Sequence, residues 1–410
     1  MLNKIKRYST YFLSQIFFLF NTVFLIAPIT WINILALLGV KKSFNKKTLI
    51  WAISFLSFSF FYGFIHFNLG VDSTVYIKSS FYYLVLLFTG FSSYNYLREL
   101  KSELHNVFIF NLISIACLFL IGLLILKTPI SYFLWQAHDF IGEGEDTILR
   151  FKGFFYEPSY LAYICSPLAI FAFLLFINKS TFRHFCFVIA IFLPIVFTFS
   201  FGFFAAFGLS IIFTITVVAI QFRQIRKVFL LPLLLCTIGL VAVANNDNSI
   251  SKRIEKIFQG EDTSVNGRTN EAFYLAHQCA AQKSLWFGIG PGQIKVIGEE
   301  VIRPYYAKRD PIGYQKDNWP TIAIPNSAAE TLAIYGYLGL FLRISLQLFL
   351  FFKFNVSRNY FNLCLFSFVF IYQFMGSFIT STAELILWII AILPLFKEFE
   401  IIPSKKFKLT

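Results

Sequence analysis

Three short stretches set arginine, glutamate and asparagine beside glycine or proline at the margins of long apolar runs. The first is Arg150-Phe-Lys-Gly153-Phe-Phe-Tyr-Glu157-Pro158-Ser159. Pro158 suits a first helical turn, where its missing N–H is an orphan in any case. Glu157 then lies against the positive end of a helix. Two readings fit: a simple helix start with Arg150 in water, or a polar cavity at a membrane interface lined by Glu157 and Arg150. The second stretch is Gly267-Arg268, then an amphipathic segment, then Gly288-Ile-Gly290-Pro291-Gly292. Three glycines in five positions permit a tight loop with exposed backbone N–H groups, suited to an anion. A plain turn is the commoner origin of such a loop. No lysine follows it as in a P-loop and no strand precedes it, which argues against nucleotide binding. The third stretch is Pro325-Asn326-Ser-Ala-Ala-Glu330, continuing to Gly336. Asn326, Glu330 and Ala333 share one helical face, and the small residues there allow close helix packing. Arg343 follows about two turns inside an apolar run, where it either snorkels or finds a buried partner.

These stretches need elements to hold them, and the composition says which. Hydrophobic residues make up 57% of the 410, charged residues 14%, and mean hydropathy is +0.69. A soluble domain carries about 25% charge, and this much apolar surface in uninterrupted runs belongs in a bilayer. The expected class is an all-α polytopic membrane protein with about 12 spans. Candidate spans are 10–25, 27–41, 48–67, 76–97, 105–127, 157–177, 185–199, 202–221, 228–244, 334–353, 361–378 and 381–397. Residues 10–41 read alternatively as one tilted helix, giving eleven, although the basic N-terminus favours a tight hairpin near Pro28.

The net charge of +14 invites a nucleic-acid reading, which the distribution rejects. Twenty of the 35 Lys and Arg residues fall in short stretches between apolar runs, such as Lys41/Lys42/Lys46/Lys47 and Arg223/Arg226/Lys227. Short basic loops stay in the cytoplasm. All of these lie on one side of the assigned spans, with both termini cytoplasmic. On the other side fall residues 68–75, a middle loop 128–156 with an acidic cluster (Glu143, Glu145, Asp146), and a large loop 245–325. The large loop holds ten Lys/Arg and nine Asp/Glu. A structureless loop of that length is unusual, so a small, partly helical cap is expected, with helical character over 270–286 and a turn at Trp319-Pro320. The chain thus divides into a first membrane domain (residues 1–244), the cap (residues 245–325), and a last membrane domain (residues 326–410) that ends in a cytoplasmic tail. The six cysteines show no metal spacing and read as small core hydrophobes. No metal site and no cofactor are expected. The N-terminus reads as an uncleaved first span.

In order and spacing, the three stretches resemble the O-antigen ligase/polymerase superfamily of bacterial surface-glycan assembly. The residues that carry the resemblance are Arg150/Gly153/Pro158, Gly267-Arg268, Gly288/Gly290/Gly292 and Asn326/Glu330/Gly336, over roughly residues 150–345. One departure concerns Pro325, which stands where the ligase branch has histidine. Together with the Glu157-Pro158-Ser159 start, this looks more like the Wzy-type polymerases.

The resemblance implies a metal-independent glycosyltransferase of the inner membrane with its large loop in the periplasm. Its partners would be undecaprenyl-pyrophosphate-linked oligosaccharides as donor and acceptor, membrane lipids, and a chain-length regulator. Arg150, Arg268 and Arg303, with Arg343 behind them, would hold the pyrophosphate. The choice of Arg303 rests only on its place in the cap. Glu157 would be the base, although a glutamate at a helix N-terminus is a weak one. Asn326 and Glu330 would position sugar hydroxyls, with Gly290 and Gly292 in the binding loop. The rivals are a ligase, which shares the chemistry, and a lipid-linked-oligosaccharide flippase. A flippase would place its charges along a central cavity rather than in a cap.

Overall fold

The computed structural model describes residues 10–12, 14–20, 24–26, 29–30, 46–139, 147–222, 255–257, 259–260, 262–309 and 323–401. The described chain is mostly helical. Long runs without proline give α1 (Lys46–Asn68), α2 (Ser73–Glu99) and α3 (Leu104–Leu124). After a β-hairpin come α4 (Pro158–Ile164), α5 (Ser166–Asn178), α6 (Phe182–Val196) and α7 (Phe201–Phe222). The cap contains α8 (Thr263–Arg268), α9 (Asn270–Ala281) and α10 (Glu299–Arg309). Last come α11 (Ser327–Lys353), α12 (Tyr360–Tyr372) and α13 (Thr382–Ile392).

Four described helices are long and apolar enough to cross a membrane, or five if the bent pair α4–α5 forms one span. This differs from the dozen expected, for local reasons. The pair α4–α5 bends by 50°, where Pro167 removes an amide donor and crowds the preceding turn. Pro194 lies inside α6, a helix of 15 residues. Leu393, before Pro394, is extended (φ −82°, ψ 128°) and ends α13 after 11 residues, as the ring of a following proline demands. Helix α2 has the length of a span but not its apolarity. In the expected first span, helix stops by Phe18, and Phe24–Ile26 (β1) pairs antiparallel with Ile29–Thr30 (β2). The expected spans 27–41 and 228–244 lie mostly or wholly outside the described residues, as do Glu143, Glu145, Asp146, Trp319 and Pro320.

The middle segment is more ordered than a loop. Trp135–Asp139 (β3) pairs antiparallel with Thr147–Phe151 (β4), setting Gln136 opposite Arg150. Trp135 is buried and donates to the Gly122 carbonyl at 2.9 Å, which pins the hairpin to α3.

Two separate cores form among the described residues. The larger one is built where α12 packs on α5, α7 and α13, and where α6 packs on α3 and α5. Aromatic edges fill much of it, as at Phe108, Phe171, Phe361 and Phe396. The smaller core belongs to the cap. Ala272, Leu275, Ala276 and Cys279 of α9 meet Leu332, Ala333 and Ile334 of α11. The first turns of α11 therefore belong to the cap as well as to the membrane domain. Outward, α1 exposes Leu49, Ile53, Leu56, Phe60 and Phe64. Water-soluble monomers do not present so continuous an apolar face, and hydrocarbon accounts for it.

Candidate functional site

Glu157 is the N-cap residue of α4, with extended backbone (φ −140°, ψ 138°) and no side-chain capping bond. Its carboxylate turns instead to two other donors. Ser159 Oγ donates to Oε1 at 2.5 Å, and Arg268 Nη2 donates to the same oxygen at 2.7 Å. The ion pair joins segments 111 residues apart. Its side chains remain 30% and 34% exposed, so the pair is open to a ligand. Burial alone would raise the Glu157 carboxyl. The Arg268 charge, the bonds from Ser159 and Arg268, and the more distant Arg150 outweigh burial and hold it below its ordinary value. For Arg268, burial pulls the guanidinium down, and Glu157 with its hydrogen bond raises it above its ordinary value. Both groups are therefore charged at neutral pH.

Arg268 owes its place to its backbone. Asp262 caps α8 by accepting from the Val265 amide at 2.8 Å. At the far end of α8, the Arg268 carbonyl accepts from Asn326 Nδ2 at 2.7 Å. The same amide group donates to the Phe374 carbonyl at 2.7 Å, while Asn326 Oδ1 caps α11 through the Ala329 amide at 2.9 Å. Asn326 is fully buried. It ties the end of α8, the start of α11 and the end of α12 together, which is a framework role. Arg150 is buried on β4, and its Nε donates to the Thr198 carbonyl at 2.8 Å. Its charge acts on Glu157 from there. Tyr156 and Tyr372 lie within electrostatic reach of Arg268.

The other sequence candidates fall in three places. Arg343 uses all five donors inside the protein. Nε meets Gln373 Oε1 at 3.0 Å, and Nη1 meets the Ser327 carbonyl at 3.3 Å and Thr331 Oγ1 at 2.8 Å. Nη2 meets Ser327 Oγ at 3.0 Å and Glu384 Oε1 at 2.5 Å. This fork straddles Gly336, where α11 breaks with φ 68°. Glu330 stands nearby, and its Oε2 accepts from the Ile379 amide at 2.6 Å. Arg303 lies apart on α10, half-exposed and paired with Glu299 one turn earlier.

The glycine loop serves packing. Gly288, Gly290 and Gly292 have φ of 77°, 94° and 77°, a region open mainly to glycine. The Ile289 and Gly290 amides donate to the Ala333 and Ile334 carbonyls, so helix backbone and not an anion takes them. The loop is also clasped by the α1–α2 turn. His66 Nε2 donates to the Phe287 carbonyl at 2.8 Å, which leaves Nδ1 to accept from Tyr76 at 3.3 Å. Gln293 Nε2 donates to the Asp72 carbonyl at 2.9 Å, and its Oε1 accepts from the Asp72 amide at 3.3 Å. Among the described residues, no group of three or more His, Cys, Asp or Glu gathers as metal ligands.

The structure therefore brings Glu157, Arg268 and Arg150 together, holds them through Asn326, and sets Glu330 and Arg343 in an adjacent network. Sequence reasoning missed Ser159, Gln373 and Glu384. Glu384 had a signal: Ser381-Thr-Ala-Glu384 is a capping-box spacing, and an acid at the head of an apolar run is a functional candidate.

No curated protein matches the chain. Residues 185–344, which contain Arg268, the glycine loop, Asn326, Glu330 and Arg343, match the family model described as O-antigen ligase, consistent with the O-antigen ligase/polymerase superfamily that the ordered motifs resemble.

Proposed function

We propose that this protein is a Wzy-type polysaccharide polymerase. It transfers a growing glycan from undecaprenyl pyrophosphate to a hydroxyl of an incoming lipid-linked repeat unit, at the periplasmic face of the inner membrane. The observation that carries the reading is the Arg268–Glu157 pair. A cation and a carboxylate from distant segments meet there, partly open, where the cap joins the membrane helices. The acceptor oxygen bonds to the anomeric carbon as the bond to the lipid pyrophosphate breaks. The hydroxyl proton leaves to a carboxylate or to water. Arg268, with Arg150 behind it, meets the negative charge that develops on the pyrophosphate, where a fixed charge stabilises the transition state most. Glu157 is a weak base while paired with Arg268, so its main role is to hold that guanidinium in place. Asn326 holds the end of α8 that carries Arg268, and the network of Glu330 and Arg343 lies beside it. A separate chain-length regulator is the expected protein partner.

The ligase reading is kept because the matching family model is described as O-antigen ligase. Pro325, in place of the ligase histidine, favours the polymerase. A gel of lipopolysaccharide from a strain lacking the gene separates the two. Collapse of the ladder to core plus one repeat unit means polymerase. Loss of all O-antigen from the core, with long polymer retained on the lipid carrier, means ligase. An unchanged ladder rejects both.

A further inference from the structure

The cap carries a row of aromatic rings that the transfer chemistry does not use. Tyr274 and His277 stand one turn apart on the outer face of α9, opposite the buried face of Ala272, Leu275 and Cys279. At one end Tyr274 meets Tyr305 of α10 with ring centroids 5.8 Å apart. At the other, His277 Nδ1 bonds the Tyr337 hydroxyl at 3.0 Å, and Tyr337 meets Trp286 at 6.5 Å. Tyr274, Trp286 and Tyr337 are 53%, 68% and 41% exposed. Large aromatic rings this open to solvent are a surface feature that needs a reason.

We infer that this row is a binding track for the oligosaccharide chain. It rests on the polymerase reading and names the substrate group that the Arg268–Glu157 pair does not touch. A sugar ring has an apolar C–H face and hydroxyl edges, so a surface that binds it alternates flat aromatic rings with hydrogen-bonding side chains. The outer face of α9 and the turn after it do so: Asn270, Tyr274, His277, Gln278, Gln282 and Trp286 follow one another at helical spacing. Tyrosine, histidine and tryptophan each add a polar handle to their ring. The outward stripe of α1 differs, because Leu49, Ile53, Leu56, Phe60 and Phe64 are aliphatic or phenylalanine with no amide among them, and Trp51 is the one exposed aromatic ring with a polar handle between Leu49 and Phe64. The row is continuous with the candidate site, since α9 begins two residues after Arg268. Its other end lies at the lipid edge, where Phe287 beside Trp286 meets Phe61 of α1 at 6.4 Å. A glycan on a membrane-embedded lipid can thus lie along the cap with its activated end near Arg268.

The test uses the full-length protein in lipid nanodiscs. The probe is the polysaccharide released by mild acid from the lipopolysaccharide of the strain that carries the gene, with binding measured by calorimetry. Wild-type protein binds it, and Trp286→Ala and Tyr274→Ala each weaken binding by roughly threefold to tenfold, the range for one aromatic contact. Both side chains are more than half exposed, so these variants keep the fold. Arg268→Ala binds as wild type, because the released glycan has no pyrophosphate. No binding by wild type, or unchanged affinity in both aromatic variants, overturns the track. Quenching of Trp286 fluorescence by brominated lipid (read as the difference between wild type and Trp286→Ala) also overturns it, placing the row in the bilayer interface. The polymerase reading fails separately: a normal ladder in an Arg268→Ala strain rejects it even where the glycan binds.

Discussion

The carboxylate of Glu157 spends one oxygen on both Ser159 and Arg268. Removing the guanidinium deletes the charge that is proposed to meet the pyrophosphate. Arg268→Ala is therefore expected to abolish chain extension, with protein present in the membrane at wild-type amount; a normal ladder on the gel refutes the assignment. Glu157→Gln keeps the shape and loses the charge, and should leave short chains. The pH dependence has a definite sign. A group whose folded pKa is depressed stabilises the fold above its unfolded value and loses that contribution as pH falls through the folded one. The gap in thermal midpoint between wild type and Glu157→Gln should be constant from about pH 8 down to roughly pH 5, and close below the ordinary carboxylate range. A gap that closes between neutral pH and about pH 6 is the contrary result.

Among the elements, α11 and the glycine loop depend on each other's lack of side chains. A Cβ on Gly288 would come within 2.4 Å of the Ile334 carbonyl oxygen, and one on Gly336 within 2.3 Å of Trp286 backbone. Alanine at either position is also strained by its positive φ. Each variant should lose at least ~1 kcal/mol, seen as a lower thermal midpoint of the detergent-purified protein. Gly208 of α7 is the control, since its added Cβ meets nothing within 4 Å. Gly208→Ala should be neutral or stabilising by about 0.5–1 kcal/mol. The fork of Arg343 braces the same break in α11 from the other side. Arg343→Met would strand Glu384, which is 5% exposed. Breaking a buried pair from one side costs about 3–5 kcal/mol, and equilibrium unfolding would show it. A loss under about 1 kcal/mol, the scale of an exposed ion pair, would mean that the fork is not a brace.

At the scale of the whole molecule, the cap is a second core built on the first turns of a membrane helix and clasped by the α1–α2 turn. The basic loops predict a topology. A reporter fused after residue 300 should read periplasmic, and one fused after residue 101 cytoplasmic. The same side for both would undo the orientation on which the proposed reaction depends.

Hydropathy alone was enough to determine a mostly helical chain with apolar helices long enough to cross a membrane, because the cost of exposing backbone and charge to hydrocarbon acts on each segment by itself. The order of Arg150, Glu157, Arg268 and Asn326 marked a candidate site for a similar reason: Glu157 and Asn326 stand at helix starts, Arg268 at a helix end and Arg150 on a short strand, where local rules apply. The pairing was out of reach. That Arg268 meets Glu157 across 111 residues, and that Arg343 is absorbed by Glu384, Gln373 and Ser327, depends on which helices pack together. The glycines show the same limit. Their spacing fits an anion loop as well as a packing loop, and only the approach of Ala333 and Ile334 decided between them. The lengths of the described helices also waited on the structure, because Pro167, Pro194 and Pro394 shorten or bend helices whose composition reads as continuous.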